Sequence, residues 1–228
     1  MNLVFDIGYN KGEFSKATLD KHPECKVVAV EANPALCGPI FGDSITLINK
    51  LVGSETGKEE LFYINYQDGI STASKQWMES SRFAVGNKYI GNVGGWSHAP
   101  IIVQTITLDY LIEKYGNPDF IKIDVEGYEL NVLKGLTSKT GELCFEFTEE
   151  QLEEDIECLE HLSSIGYTDF GLVGFFEEGD SFPDLTYSNE GDPYMCFPKK
   201  YLSLQDISKI LRKFDPSRKI NYGMLYAK

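Results

Sequence analysis

Leu3-Val4-Phe5-Asp6-Ile7-Gly8-Tyr9-Asn10-Lys11-Gly12-Glu13-Phe14-Ser15 begins with an apolar run, breaks at Gly8 and Gly12, then continues at helical spacing through Phe14, Ala17, Thr18 and Lys21. A short apolar run bounded by a turn suits a strand buried on both faces, as in a parallel sheet. His22-Pro23 stops the helix. The pattern then repeats. Lys26 to Val30 reads as a second buried strand ending at Glu31, Asn33-Pro34 opens a turn and a short helix, and Ile45 to Leu51 reads as a third strand. Phe120 to Asp124 and Glu142 to Phe147 follow as a fourth and a fifth, each leading into a helix. Asp169 to Phe176 and Ile220 to Ala227 are two late strands, with a helix capped by Ser203 between them. This alternation predicts one doubly wound α/β domain over residues 1–228, with a mostly parallel sheet and helices on both faces. Such sheets bind ligands beyond the carboxyl ends of their strands, near the point where strand order reverses. The chemistry is therefore expected after Ile7, Val30, Leu51, Ile123 and Phe147.

The remaining segments decorate that plan. Gly57 to Tyr66 reads as an added strand or hairpin arm and Ile101 to Thr105 as an edge strand. Thr107 caps a helix carrying Leu108, Leu111, Ile112 and Tyr115, and Thr148 with Gln151 forms a capping-box pattern. Glu142 to Glu160 holds nine acids and no Lys or Arg, which reads as a solvated helix face. Residues 67–100 and 177–200 lack periodicity and are expected to form the acceptor pocket and its lid. Trp77, Phe83, Tyr89, Trp96 and Tyr194 offer flat apolar surfaces there, although such aromatics more often serve loop packing.

With 228 residues and 42% hydrophobic content the chain can build a sizeable core. Lys and Arg number 21 against 35 acids, a net charge of −14. That balance repels phosphate backbones and argues against a nucleic-acid partner. No stretch reaches the roughly 18 apolar residues of a membrane helix, and the first strand starts at once where a signal peptide would stand. Neither membrane nor secretion is expected. Five scattered cysteines without a Cys-x-x-Cys pair fit a reducing, cytoplasmic interior, and Cys144 and Cys158 read as buried hydrophobes. Three distant histidines give no metal-ligand spacing, and no metal is assigned.

Two sites point to a ligand. The Gly8-x-x-x-Gly12 turn departs from the Gly-x-Gly-x-x-Gly dinucleotide fingerprint, because Tyr9, Asn10 and Lys11 stand where a pyrophosphate needs bare backbone. Asp6 at the strand end suits a cationic or zwitterionic ligand better. Glu31 lies 19 residues past Gly12, the offset at which an acid grips ribose hydroxyls, with Asn33 two residues on. A nucleoside carrying an amino-acid moiety satisfies both sites, and S-adenosylmethionine is such a molecule.

The third site, Lys122-Ile123-Asp124-Val125-Glu126-Gly127-Tyr128-Glu129 with Leu133-Lys134-Gly135 behind it, makes the resemblance specific. It resembles the Lys-x-Asp-x-Glu-Gly-x-Glu signature of FkbM-type methyltransferases, and Thr107-Leu108-Asp109 and the first site also resemble that family. The likeness spans roughly residues 3–150. It implies a Rossmann-like class I methyltransferase fold and S-adenosylmethionine-dependent O-methylation, often of sugar or polyketide hydroxyls. By motif it places Asp6, Gly8, Asn10, Gly12 and Ser15 around the methionine part of the cofactor. Glu31 would hold the ribose with Asn33 nearby, and Asp124 and Glu126 would face the methyl group and acceptor. Tyr9 departs from the small residue usual there and would narrow or line the pocket, while Val52-Gly53-Ser54-Glu55 after the third strand departs from the family pattern that often sets an acid near the adenine. An alcohol acceptor needs a base, and Glu126 or Asp124 is the candidate, with His98 from the long loop and Glu146 and Glu149 as further ones. Asp124, Glu126 and Glu146 could also furnish oxygen ligands to Mg²⁺ or Ca²⁺. The acceptor is expected to be a sugar or other small molecule. A nicotinamide-dependent oxidoreductase on a similar sheet and a non-catalytic nucleoside-binding module stay open as alternatives.

Overall fold

Apolar strands with both faces covered organise the chain. The computed structural model describes residues 1–38, 43–66, 68–84, 95–175, 185–187, 197–218 and 221–228. In chain order the elements are β1 (Leu3–Ile7), α1 (Glu13–Lys21), β2 (Lys26–Glu31), β3 (Ile45–Asn49), β4 (Leu51–Val52), β5 (Glu59–Phe62), α2 (Lys75–Ser80) and β6 (Ile101–Ile106). They continue with α3 (Leu108–Tyr115), β7 (Phe120–Ile123), α4 (Glu129–Leu133), β8 (Glu142–Thr148), α5 (Leu152–Ser164), β9 (Phe170–Phe175), β10 (Thr186–Tyr187), α6 (Leu204–Leu211) and β11 (Tyr222–Ala227).

The main sheet has eight strands in the order β10-β9-β11-β8-β7-β1-β2-β3. All its pairings are parallel except those of β11, which runs antiparallel between β8 and β9. From β1 the chain first builds outward through β2 and β3, then returns to the other flank of β1 with β7 and β8. Strand order thus reverses at β1 and β7, and a crevice opens above their carboxyl ends. Phe5, Ile7, Val28, Val30, Ile121, Ile123, Phe145 and Phe147 fill the larger core with Leu108, Leu111 and the inner residues of α5. A smaller cluster on the opposite face gathers Val4, Phe120, Cys144, Met224 and Tyr226.

Several expectations need correction. The third strand does not run to Leu51. The chain turns at Lys50, and Leu51–Val52 pair in parallel with β6 in a second, three-stranded sheet of order β4-β6-β5. Ile101–Ile106 is therefore the middle strand of that sheet, not an edge. The Thr148–Gln151 capping box does not form, because a 3-10 turn over Glu149–Gln151 precedes α5 and the Thr148 hydroxyl meets the Gln151 side chain at 3.4 Å instead. The acidic run is not simply a solvated face, since Glu149 and Asp155 are buried and Glu150 is sequestered in a bidentate pair with Arg82. Within 67–100 a short helix, α2, was not expected; Ser74 caps it, accepting from Trp77 N–H at 3.1 Å. Thr107 caps α3 as read, and Asp109 accepts from both the backbone and the hydroxyl of Thr137, tying α3 to the chain beyond α4. Among the described residues no helix is long and apolar enough to cross a membrane.

Candidate active site

Backbone hydrogen bonds stitch together the carboxyl ends of β1, β2 and β7. Gly8 and Tyr9 N–H donate to the Val30 carbonyl at 3.0 and 3.1 Å, and Asp124 N–H donates to the Ile7 carbonyl at 3.0 Å. Gly8 has φ +80°, and a Cβ there would lie 1.7 Å from the Asp124 carbonyl oxygen, so only glycine lets these strand ends meet. At Gly12, also left-handed, the space of a Cβ is taken by the ring of Tyr9.

Two cavities adjoin above these strand ends, sharing Gly8, Asn10, Gly69, Asp124 and Glu126 as walls. The first, about 510 Å³, is closed by Glu31 and by apolar Val30, Ala32, Leu51, Val52 and Phe62. The second, about 1010 Å³, is bounded by Tyr9, Lys11, Glu13, Phe14 and Lys122. Glu31 is buried, and its two carboxylate oxygens accept from Asn10 N–H at 2.8 Å and Asn33 N–H at 2.7 Å. Burial raises its pKa against those two N–H bonds. Each oxygen keeps a further lone pair for a ligand hydroxyl. Asn10, at φ +49°, directs its backbone to Glu31, while its buried Oδ1 has no hydrogen-bond partner among the described residues.

Not every residue expected at the cofactor reaches a cavity. Asp6 and Ser15 are fully buried and bond each other, Ser15 Oγ donating to Asp6 Oδ2 at 2.6 Å. Asp6 Oδ1 lies 3.2 Å from Lys122 Nζ. Both residues support the turn from beneath. Asn33 is likewise spent, its amide on Glu31 and its side chain on Ala35 N–H. His98 is exposed and lines neither cavity, because its segment is anchored elsewhere, by the Asn65–Trp96 bridge. Glu149 is drawn away to Asn221 and the Asp215 N–H, which knot the start of β11 to the end of β8. Trp77 is buried against Phe83 and Trp96, so it packs the segment instead of offering a stacking face. Tyr89 and Tyr194 lie outside the described residues.

At the far wall Asp124 and Glu126, which line both cavities, bring carboxylate oxygens within 4.8 Å of one another and of Glu146. Glu126 stands in the left-handed region at φ +58°, a strained state for a non-glycine residue, and its carbonyl accepts from Thr72 Oγ1 at 2.6 Å. Oε2 of Glu126 and Oε2 of Glu146 are buried without a hydrogen-bond partner among the described residues. Burial first, then the charges of Asp124 and Glu129, pushes Glu126 well above the usual carboxylate range. Burial and the Glu126 charge do the same to Glu146. Behind them Glu129 is pushed up to about 8, and burial raises Asp155. Sequence spacing missed Phe62, Gly69 and Ser71 as cavity walls, since they arrive from the second sheet and the irregular segment. Lys122 was visible in the motif but carried no role.

These buried acids tie stability to pH. A carboxyl whose folded pKa exceeds its unfolded one binds its proton more tightly in the fold. The stability it adds is fully present below the unfolded value of 4.5 or 3.8 and is lost as pH rises through the folded value, about 8 for Glu129. The melting temperature should fall as pH rises from about 4.5 to about 8, and Asp155→Asn with Glu129→Gln should flatten the fall. A level profile in the unaltered protein would contradict this.

Residues 6–168 match the family described as the methyltransferase FkbM domain. The chain belongs to the FkbM methyltransferase family. It is 29% identical over 164 residues to the methyltransferase sdnD of Sordaria araneosa, covering 62% of this chain. The match also spans 62% of that curated relative's length. Among solved structures, a methyltransferase FkbM from Methylobacillus flagellatus KT superposes with a TM-score of 0.44 at 17% identity, over 75% of this chain and 39% of that one. A precorrin-6y C5,15-methyltransferase from Geobacter metallireducens GS-15 gives 0.43 at 12% identity, over 100% of this chain and 78% of that one. The motif that resembles the family's signature, Lys122 to Glu129, runs through the turn that forms the acidic wall, and the first motif is the glycine turn facing Glu31.

Proposed function

We propose that this FkbM methyltransferase is a cytoplasmic S-adenosylmethionine-dependent O-methyltransferase that alkylates a hydroxyl of a sugar or another neutral small molecule. The observation that carries the reading is the shared wall. The Glu31 cavity and the carboxylate cavity meet along Gly8, Asn10, Asp124 and Glu126. The residues fit the cofactor: Glu31 keeps lone pairs for two ribose hydroxyls, the orphaned Asn10 Oδ1 takes a donor, and Val30, Leu51, Val52 and Phe62 form an apolar slot for a base. When bound, S-adenosylmethionine supplies an electrophilic methyl group on a cationic sulfur.

The chain's own residues do the rest. Holding acceptor and donor in line contributes about 7–11 kcal/mol where the fit is good. Glu126, held neutral at low pH by burial and by its charged neighbours, becomes a base as pH rises and takes the acceptor proton. The buried Glu126 and Glu146 oxygens that lack partners among the described residues suit a hydroxyl-rich acceptor, and any of these carboxyls that ionises repels phosphate and carboxylate groups, so uncharged acceptors are favoured over anionic ones.

Titration calorimetry with S-adenosylhomocysteine and with NAD separates this reading from an oxidoreductase. We expect the former alone to bind, and binding of NAD alone would sink the proposal. Labelled methyl transfer to a panel of neutral sugars and their phosphorylated counterparts then tests the acceptor class. Transfer confined to the phosphorylated members would reverse the assignment of the acidic wall.

A further inference from the structure

A lysine inside a parallel strand is costly. Removing its charge from water costs several kcal/mol unless partners replace the solvent. Lys122 sits in β7 at 3% exposure among Phe120, Ile121 and Ile123. Strand register sets it beside Asp6 of β1 and Cys144 of β8. Its ammonium is held from both sides of the strand-order reversal. Asp6 Oδ1 lies at 3.2 Å and the Gly8 carbonyl accepts from it at 2.7 Å on the β1 side, while Asp124 Oδ2 lies at 3.6 Å on the β7 side. A structural ion pair would need Asp6 alone. The other two partners are walls of the larger cavity, and Lys122 itself lines it.

We propose that Lys122 is a positioning residue, a buried clamp that fixes the glycine turn, where the cofactor is read to lie, against the carboxylate wall read to face the acceptor. It rests on the functional reading above for what the two walls hold. The clamp keeps the Gly8–Gly12 turn in its bound shape before any ligand arrives, so binding does not have to order it. Burial alone would lower the lysine's pKa, but the Asp6 and Asp124 carboxylates override it and push it up, so the clamp stays charged at every working pH.

The test separates a clamp from a simple buried pair. Replacing both partners of a buried ion pair by apolar residues often leaves stability intact. In Asp6→Leu/Lys122→Met we expect a melting temperature close to the unaltered protein. We also expect roughly tenfold faster amide exchange confined to residues 8–12 and about 10- to 30-fold weaker S-adenosylhomocysteine binding. Recovery of exchange protection and affinity together with the melting temperature would overturn the proposal. Should that variant not fold, Lys122→Gln, which keeps a donor for the Gly8 carbonyl but no charge, is read in its place. Unaltered exchange at residues 8–12 and unaltered affinity there would also overturn it. If the unaltered protein fails to bind S-adenosylhomocysteine, the functional reading falls, while the exchange measurement still decides the clamp.

Discussion

Glu31→Ala should weaken S-adenosylhomocysteine binding by about 10²- to 10⁴-fold. Two charge-assisted hydrogen bonds to ribose hydroxyls are worth roughly 1.5–3 kcal/mol each, and the apolar side chains of Val30, Leu51, Val52 and Phe62 beside Glu31 cannot accept in its place. The substitution also strips the acceptor from two backbone N–H groups, Asn10 and Asn33. Part of the loss therefore comes from a looser glycine turn, and the melting temperature should drop with it. Glu31→Gln keeps one acceptor oxygen and should fall between the two in both measurements. Calorimetry on folded samples checks this. Undiminished affinity in a folded Glu31→Ala protein would mean that the nucleoside lies elsewhere.

The second large effect is on turnover. Glu126→Gln preserves shape and the strained backbone but removes the proposed base, so methyl transfer should fall by about 10²- to 10⁴-fold. S-adenosylhomocysteine affinity should stay within about threefold, because the proposal gives the nucleoside contacts to Glu31 and Asn10. In the unaltered enzyme the rate should climb with pH, with its rising limb well above the ordinary carboxylate range, since burial and the Asp124 and Glu129 charges hold Glu126 protonated at low pH. Glu129→Gln removes one of those charges and should move the limb to lower pH. Full turnover in Glu126→Gln would remove Glu126 from the chemistry. Loss of activity on chelation, restored by Mg²⁺, would recast Asp124, Glu126 and Glu146 as ligands of an ion.

Where apolar runs alternated with glycine turns the sequence was enough to place the parallel core, because burial on both faces leaves a plain signature. Glu31 and the Lys122-to-Glu129 motif were legible for the same reason: they stand at strand ends, where one residue fixes what the cleft sees. What the sequence hid was contact across distance. Asp6 reads as a ligand-facing acid until Lys122, 116 positions on in the chain, is found beneath it. Glu149 reads as a base until Asn221 claims it. His98 carried only its residue type, and nothing local told which way its loop would lie. The second sheet was misread because strand β4 is two residues long, too short for any periodicity to show.

Gly127 has φ +81°, and a Cβ on it would fall 2.2 Å from the indole of Trp77. That ring therefore presses directly on the turn carrying Glu126, shielded from water at 1% exposure and edge-on to Trp96. An indole's emission follows its surroundings, so the molecule carries a natural fluorophore behind its acidic wall, and occupancy of the cleft can be followed in unlabelled protein.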